Sequence, residues 1–323
     1  MQRAFVSGLL AAAFFAVPAQ AEKLRLALQK TGTTGWELAV VRAFGLDREA
    51  GLELEVTELA APEAGKIAIQ GGGADVIVSD WLWVARERAG GAKLTLSPYS
   101  TGVGAVMTKD PAIRTVKDLT GKKLGVAGGP LDKSWLMLKA FAQKQGVDLE
   151  KSATILYGAP PLIAEKALQG EIDAALEFWN FAADLEGKGF ARAIEISDVE
   201  KALGAKGDVV VTGYVFDEGF AAKNRDALSR FFAMTAKAKA LIASDDKAWA
   251  AAAQRIGPKD PATLAIYRKR YAAGVPKRSV AEEEADAAAL YGVMAEIGGE
   301  KLVGPGKTLD PGTFYKGGEA AKP

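Results

Sequence analysis

Five of the six tryptophans in this 323-residue chain, Trp36, Trp81, Trp83, Trp135 and Trp179, stand close to the C-terminal ends of runs that read as β-strands. Flat rings gathered there could stack a planar solute at low entropic cost. Filling of the core is the other use of such rings, and Trp81 and Trp83, two apart on one helix, cannot share a face. One of that pair therefore belongs to the core, and Trp81 is taken forward as the contact. The stretch Gly128-Gly129-Pro130-Leu131-Asp132-Lys133-Ser134-Trp135 is a glycine-rich loop running into a helix start. It lacks the Gly-Lys-Ser ending of a nucleotide-binding loop. Free amides at a helix start still attract an anion, and Lys133 adds a full positive charge beside Ser134. Thr31, Thr33 and Thr34 form the comparable hydroxyl-rich start near Trp36. Tyr99, Ser100 and Thr101, and further on Tyr157 and Asn180, offer hydrogen bonds to a polar rim or serve packing and hinge roles. Asp80 and Glu177 lie near the same strand ends. Unpaired, they would repel an anion and attract a cation, and Asp80 also reads as a helix cap.

Composition removes whole classes of chemistry. The chain has no His and no Cys, which excludes Ser-His-Asp and Cys-His catalysis, disulfides and the usual zinc, haem and iron–sulfur ligation. Residues 1–21 read as a signal peptide, with Arg3, an apolar stretch and Ala19-Gln20-Ala21 ahead of Glu22. Without Arg3 the chain has equal numbers of basic and acidic side chains, so broad attraction to nucleic acid or anionic lipid is not expected. No cysteine follows to carry a lipid, and no later apolar run reaches spanning length. An exported, uninserted, monomeric periplasmic protein is the expectation.

The elements that would hold these residues alternate strand and helix, the pattern of an α/β fold with mostly parallel strands. Strands are read at Leu24–Leu28, Leu52–Val56 and Ala74–Val78, then again at Leu124–Ala127, Thr154–Tyr157, Asp173–Glu177 and Ala193–Ile196. The second series repeats the plan of the first. Thr95–Thr108 reads as one crossing, and Asp208–Val215 as the return. Helices follow at Ala222–Ser244, Lys247–Ile256, Pro261–Ala273 and Val280–Ile297. The expected division is a first lobe of residues 22–102 plus 216–303, a second of 103–215, and a loosely ordered tail, 304–323. The cleft between the lobes is the expected ligand site.

Several passages, Ala43–Glu55, Gln70–Val76, Val116–Val126 and Ala167–Ala174, make the chain resemble the periplasmic solute-binding proteins of ABC importers. The likeness is to the branch that includes alkanesulfonate, taurine, nitrate and thiamine-precursor binders. It implies a two-lobed periplasmic binding protein fold of type II, with two crossings between lobes and C-terminal helices. It also implies a hinge-bending receptor without chemistry of its own that hands a solute to a membrane permease. Lys133 lies at the loop position this family uses. Related thiamine-pyrimidine synthases share the fold but work through histidine, which this chain lacks. Aromatic plates and a lysine suit a planar acidic solute such as pyrroloquinoline quinone, held as ligand and not as a catalytic cofactor. The alternatives are an aromatic or alkyl sulfonate, a thiamine pyrimidine precursor, which Glu177 would favour, or delivery of a cofactor to a periplasmic quinoprotein dehydrogenase. The candidate contacts are Trp36, Thr33, Thr34, Asp80, Trp81, Thr101, Lys133, Ser134, Trp135, Tyr157, Glu177, Trp179 and Asn180.

Overall fold

The computed structural model describes residues 21–317 except Ala61. The signal peptide read over residues 1–21 therefore lies, save Ala21, outside the described residues. The chain begins with β1 (Glu22–Gln29), α1 (Thr34–Phe44), α2 (Leu46–Glu49), β2 (Leu52–Leu59), α3 (Pro62–Gln70), β3 (Val76–Asp80), α4 (Trp81–Ala89) and β4 (Leu94–Ser100). It then crosses into β5 (Ala105–Thr108), β6 (Lys123–Ala127), α5 (Lys133–Lys144), α6 (Leu149–Ser152), β7 (Thr154–Gly158), α7 (Pro160–Leu168) and β8 (Ala174–Glu177). The second series closes with α8 (Trp179–Gly187), β9 (Ala191–Glu195) and α9 (Ile196–Ala202). The chain returns through β10 (Thr212–Asp217) to α10 (Glu218–Lys223), α11 (Arg225–Ser244), α12 (Asp246–Ile256), α13 (Pro261–Ala273), α14 (Val280–Gly298) and α15 (Glu300–Val303).

Two five-stranded sheets result, ordered β2-β1-β3-β10-β4 and β7-β6-β8-β5-β9. In each, four strands run one way and the fifth is antiparallel: β10 between β3 and β4, β5 between β8 and β9. The antiparallel strand is the one that has just crossed from the other lobe. The two crossings are thus built into the sheet interiors, which ties hinge position to strand pairing. Gly104 stands where the first crossing becomes β5, and a Cβ there would fall 1.5 Å from the Glu177 carbonyl oxygen. Only glycine lets the backbones come that close.

Local sequence accounts for most boundaries. Asp132 caps α5 by accepting from the Ser134 and Trp135 amides, and Asp80 caps α4 through the Trp83 amide. Ser279 and Glu282 form a reciprocal capping box on α14. Gly71, Gly72 and Gly73 return bonds to the last carbonyls of α3, so that glycine run closes a helix.

Three expectations are corrected. β10 begins at Thr212 and pairs in the first sheet, so the return is complete before residue 216. Of the C-terminal helices, α11 and α12 pack on α1 of the first lobe, whereas α13 and α14 bridge both lobes. Arg270 of α13 pairs with Glu186 of α8, and Glu283 and Asp286 of α14 accept from the Val210, Lys206 and Gly207 amides of the return crossing. Leu290, Tyr291 and Met294 share one core with Trp81 of the first lobe and Trp135 of the second. An Ala-rich helix shows which face is apolar, not which neighbour it meets. Finally, the described part of the expected tail, residues 304–317, is docked, not loose. Leu96 donates to the Thr313 carbonyl and accepts from the Tyr315 amide, Phe314 is 1% exposed, and Arg88 pairs with Asp310. Glycine and proline made that stretch read as a tail, and a single buried ring overrides the composition.

Candidate functional site

A cleft of about 890 Å³ opens between the lobes, lined by loops at the ends of β1, β3, β6, β7 and β8 and by both crossings. Its volume falls within the ordinary range for small-molecule sites. Six helices begin on its wall, α1, α3 and α4 from the first lobe and α5, α7 and α8 from the second. α4 and α5 are capped by the carboxylates of Asp80 and Asp132. α1 and α8 start without a capping side chain, at Thr33 and Phe178. The cleft therefore presents two helix starts already supplied with negative charge, while α1, α8 and the proline-led start of α7 at Ala159 have no capping side chain.

Seven of the expected contacts, Thr33, Thr34, Asp80, Lys133, Ser134, Trp179 and Asn180, line this cleft, as do Thr31 and Tyr99. Thr33 shares a 2.9 Å hydrogen bond with the Tyr99 hydroxyl. Gly128 at φ +90° makes the turn that aims the loop into α5, a conformation suited to glycine.

Six expected contacts lie elsewhere. Trp81 is 1% exposed and Trp135 is fully buried, both in the shared core. Trp83, the other member of its pair, is the one on the cleft wall, with the Lys66 ammonium 5.3 Å from its ring centre. The two-residue offset separated their faces as expected, but tertiary packing reversed the choice. Trp36 points away from the cleft into an aromatic cluster, its ring 5.6 Å from Trp179 and 5.5 Å from Tyr267. Rings from opposite lobes do meet there, edge to face and against each other, not across a guest. Tyr157 packs edge-on against Trp135. Thr101 is held by its backbone, donating to the Gly274 carbonyl. Glu177 is 1% exposed, beneath the wall.

Lys133 is not a free cation. Its ammonium sits 3.9 Å from the Asp132 carboxylate and 5.1 Å from the centre of the Phe178 ring. Burial raises the pKa of Asp132, the Lys133 charge opposes that, and the charge of Asp80 across the cleft adds to the rise. Glu177 is pushed well above the usual carboxylate range, first by burial; the Phe178 amide draws it down and the charge of Asp132 pushes it further up. The Phe178 amide lies near the Glu177 carboxyl without a well-formed hydrogen bond to it, and neither oxygen has another partner among the described residues.

Sequence reasoning missed several wall residues. Asp132 was present in the loop, and its spacing to an apolar helix is an N-cap signal. Lys66 and Arg86, with Glu63 and Glu87, line the first-lobe side from the interior of α3 and α4. Nothing local distinguishes them from solvated helix residues.

The family model described as NMT1/THI5 like matches residues 42–248. The chain belongs to that family. No curated protein sequence matches the chain. Among solved structures, it is similar to the periplasmic aliphatic sulphonate binding protein SsuA from Escherichia coli. That match has a TM-score of 0.68 at 20% identity, covering 89% of this chain and 95% of that one. It is also similar to the alkanesulfonate-binding protein SsuA from Xanthomonas axonopodis pv. citri bound to MOPS, with a TM-score of 0.70 at 19% identity over 92% and 99% of the two chains. The ligand-binding component of an ABC-type import system from Staphylococcus aureus, solved with zinc bound, gives 0.67 at 10% identity over 93% and 100%. At these identities the structures speak for the fold, and that fold is the two-lobed periplasmic binding protein architecture.

Proposed function

We propose that this protein is the solute receptor of an ABC importer, working in the periplasm and presenting a small organic solute to a membrane permease. The observation that carries the reading is the cleft itself, walled by strand-end loops and helix starts of both lobes. Solutes bind at such positions in open α/β sheets. A solute touching both walls favours the closed arrangement over the open one, and only such differential contact drives closure. Family membership and the importer components among similar folds support the same reading. Among the described residues no helix is long and apolar enough to cross a membrane, in keeping with a receptor that meets its permease without being inserted.

For the solute, the charge of the wall favours a pyrimidine of the thiamine-precursor kind over the acidic quinone, and a small sulfonate is supported by the sulfonate-binding proteins among the similar folds. Lys133, the cation on which the quinone relied, already faces Asp132, and Asp80 stands opposite. The indoles on the wall are Trp83 and Trp179 in place of the four expected, joined by the rings of Tyr99, Phe178 and Phe181. Delivery of a cofactor to a quinoprotein dehydrogenase draws no support from fold or cleft.

A thermal-shift screen over alkyl and aryl sulfonates, aminopyrimidines and pyrroloquinoline quinone tests the reading. A true solute at a hundredfold excess over its dissociation constant stabilises by about 2.7 kcal/mol, and scattering should show a smaller radius on binding. Stabilisation by the quinone alone would reverse the solute assignment. No stabilisation by any of these compounds would remove the receptor reading for all three classes.

A further inference from the structure

Resting on the receptor reading above, we infer that α13 is a brace behind the hinge, gripping both lobes on the side turned away from the cleft and holding them apart until a solute draws them together. Its position comes from two residues that the cleft and α13 share. Gly102 of the first crossing lines the cleft, and the Gly274 that ends α13 lies so close behind it that a Cβ there would fall 3.2 Å from the Gly102 Cα. The Gly274 carbonyl accepts from the Thr101 amide and, at 3.3 Å, from the Ser100 hydroxyl. Trp179 also lines the cleft, while Tyr267 and Tyr271 of α13 pack on its ring with centres 6.5 and 6.3 Å away. No described residue on the cleft wall comes from α13 itself. The first crossing thus runs between the cleft and this helix.

Each lobe holds α13 by polar bonds as well as by rings. From the first lobe, Glu37 Oε1 accepts from the Tyr271 hydroxyl at 2.6 Å, and Trp36 packs on Tyr267 and Tyr271. From the second, Glu186 of α8 receives the Arg270 guanidinium as a fork at 2.9 and 3.2 Å, and Asp184 pairs with Lys259 just ahead of α13. A forked pair fixes direction as well as distance.

A crossing works as a pivot, so when the lobes rotate together on the cleft side, surfaces on the opposite side rotate apart. Whatever spans those surfaces is stretched. One set of α13 bonds must therefore lengthen on closure, and intact bonds favour the open arrangement. The return crossing is backed in the same way, since Glu283 of α14 accepts from the Val210 amide beside the wall residue Val211. Contacts made by a solute have to outweigh the brace, and a weakened brace populates the closed arrangement before any solute arrives.

The chain has no cysteine, so a pair of introduced nitroxide labels reports lobe separation without interference. Ile67→Cys and Leu162→Cys replace exposed residues next to the wall residues Lys66 and Pro161, one on each lobe. Pulsed dipolar spectroscopy on the solute-free protein should show mainly the long separation in the parent. Tyr271→Phe, which removes the hydroxyl and keeps the ring, and Arg270→Gln should each raise the short-separation fraction about threefold or more, the population equivalent of one lost hydrogen bond. Lys237→Ala, at a surface pair with Glu49, should leave the distribution unchanged. Thermal melts show whether each variant is folded, and Arg270→Gln, at a partly exposed pair, keeps the test decisive if Tyr271→Phe unfolds. A parent already at the short separation, a folded variant of Tyr271 or Arg270 that matches the parent, or a shift to longer separations overturns the brace and leaves the receptor reading standing. Because no solute is added, failure of the solute screen is read separately from failure of the brace.

Discussion

In the first lobe Glu37 is buried with both oxygens engaged. Lys239 and the Tyr271 hydroxyl each lie 2.6 Å from Oε1, and the Tyr214 hydroxyl donates to Oε2 at 2.9 Å. In the second lobe Glu177 and Glu200 are equally buried, at 1% exposure each, and none of their oxygens has a hydrogen-bond partner among the described residues. The first arrangement is complete. Burial lowers the pKa of Lys239 while Glu37 pulls it back, and the same carboxylate helps raise the surrounding tyrosines. The second arrangement is unfinished, and it borders the cleft and the return crossing. Polar groups satisfied inside the fold hold the scaffold, whereas a buried carboxylate without a partner is costly to keep ionised.

Breaking the complete cluster should have the largest effect. Glu37→Gln strands the Lys239 ammonium in the core, and equilibrium unfolding should show a loss of about 3–5 kcal/mol. A loss under about 1 kcal/mol would mean that the cluster is not the scaffold element described.

Next in size is Glu200, which has the opposite sign. Burial, then the charge of Asp208, pushes its pKa from the ordinary 4.5 up to about 8, against the pull of Lys133. A carboxyl raised on folding is protonated in the folded state while ionised in the unfolded one. Stability is therefore lost as pH climbs from about 4.5 towards 8. Glu200→Gln should flatten that slope, gaining on the order of 4 kcal/mol over the parent at pH 8 as an upper limit. An unchanged slope would show that Glu200 is already partnered.

A smaller but comparable loss, about 3 kcal/mol, is expected for Phe314→Ala, whose ring closes the edge of the first sheet beside Leu96. Indifference to that substitution would restore the loose tail. At the bottom of the scale, Lys237→Ala removes a surface pair with Glu49, its two side chains 50% and 62% exposed. The change should stay below about 0.5 kcal/mol, which sets the baseline for the buried pairs.

The α13 and α14 bridges refine the expected hinge. Tyr267 and Tyr271 pack against Trp36 of one lobe and Trp179 of the other. The proposed closure must either slide this aromatic joint or keep it.

Strand and helix alternation, the doubled α/β plan, the four long C-terminal helices and the hydroxyl-rich and glycine-rich helix starts were all determined by the sequence itself. Each depends on contacts within a few residues: hydrophobic period, caps and turn chemistry. The tertiary structure alone decided that Trp83 and not Trp81 faces the cleft, that Trp36 closes on Trp179, that Lys133 answers to Asp132, and that the residues around Phe314 dock. Those outcomes depend on which surfaces meet across distances of tens to hundreds of residues. A helix face or a charged side chain does not encode its partner locally, so burial and pairing emerge only when the two lobes pack together.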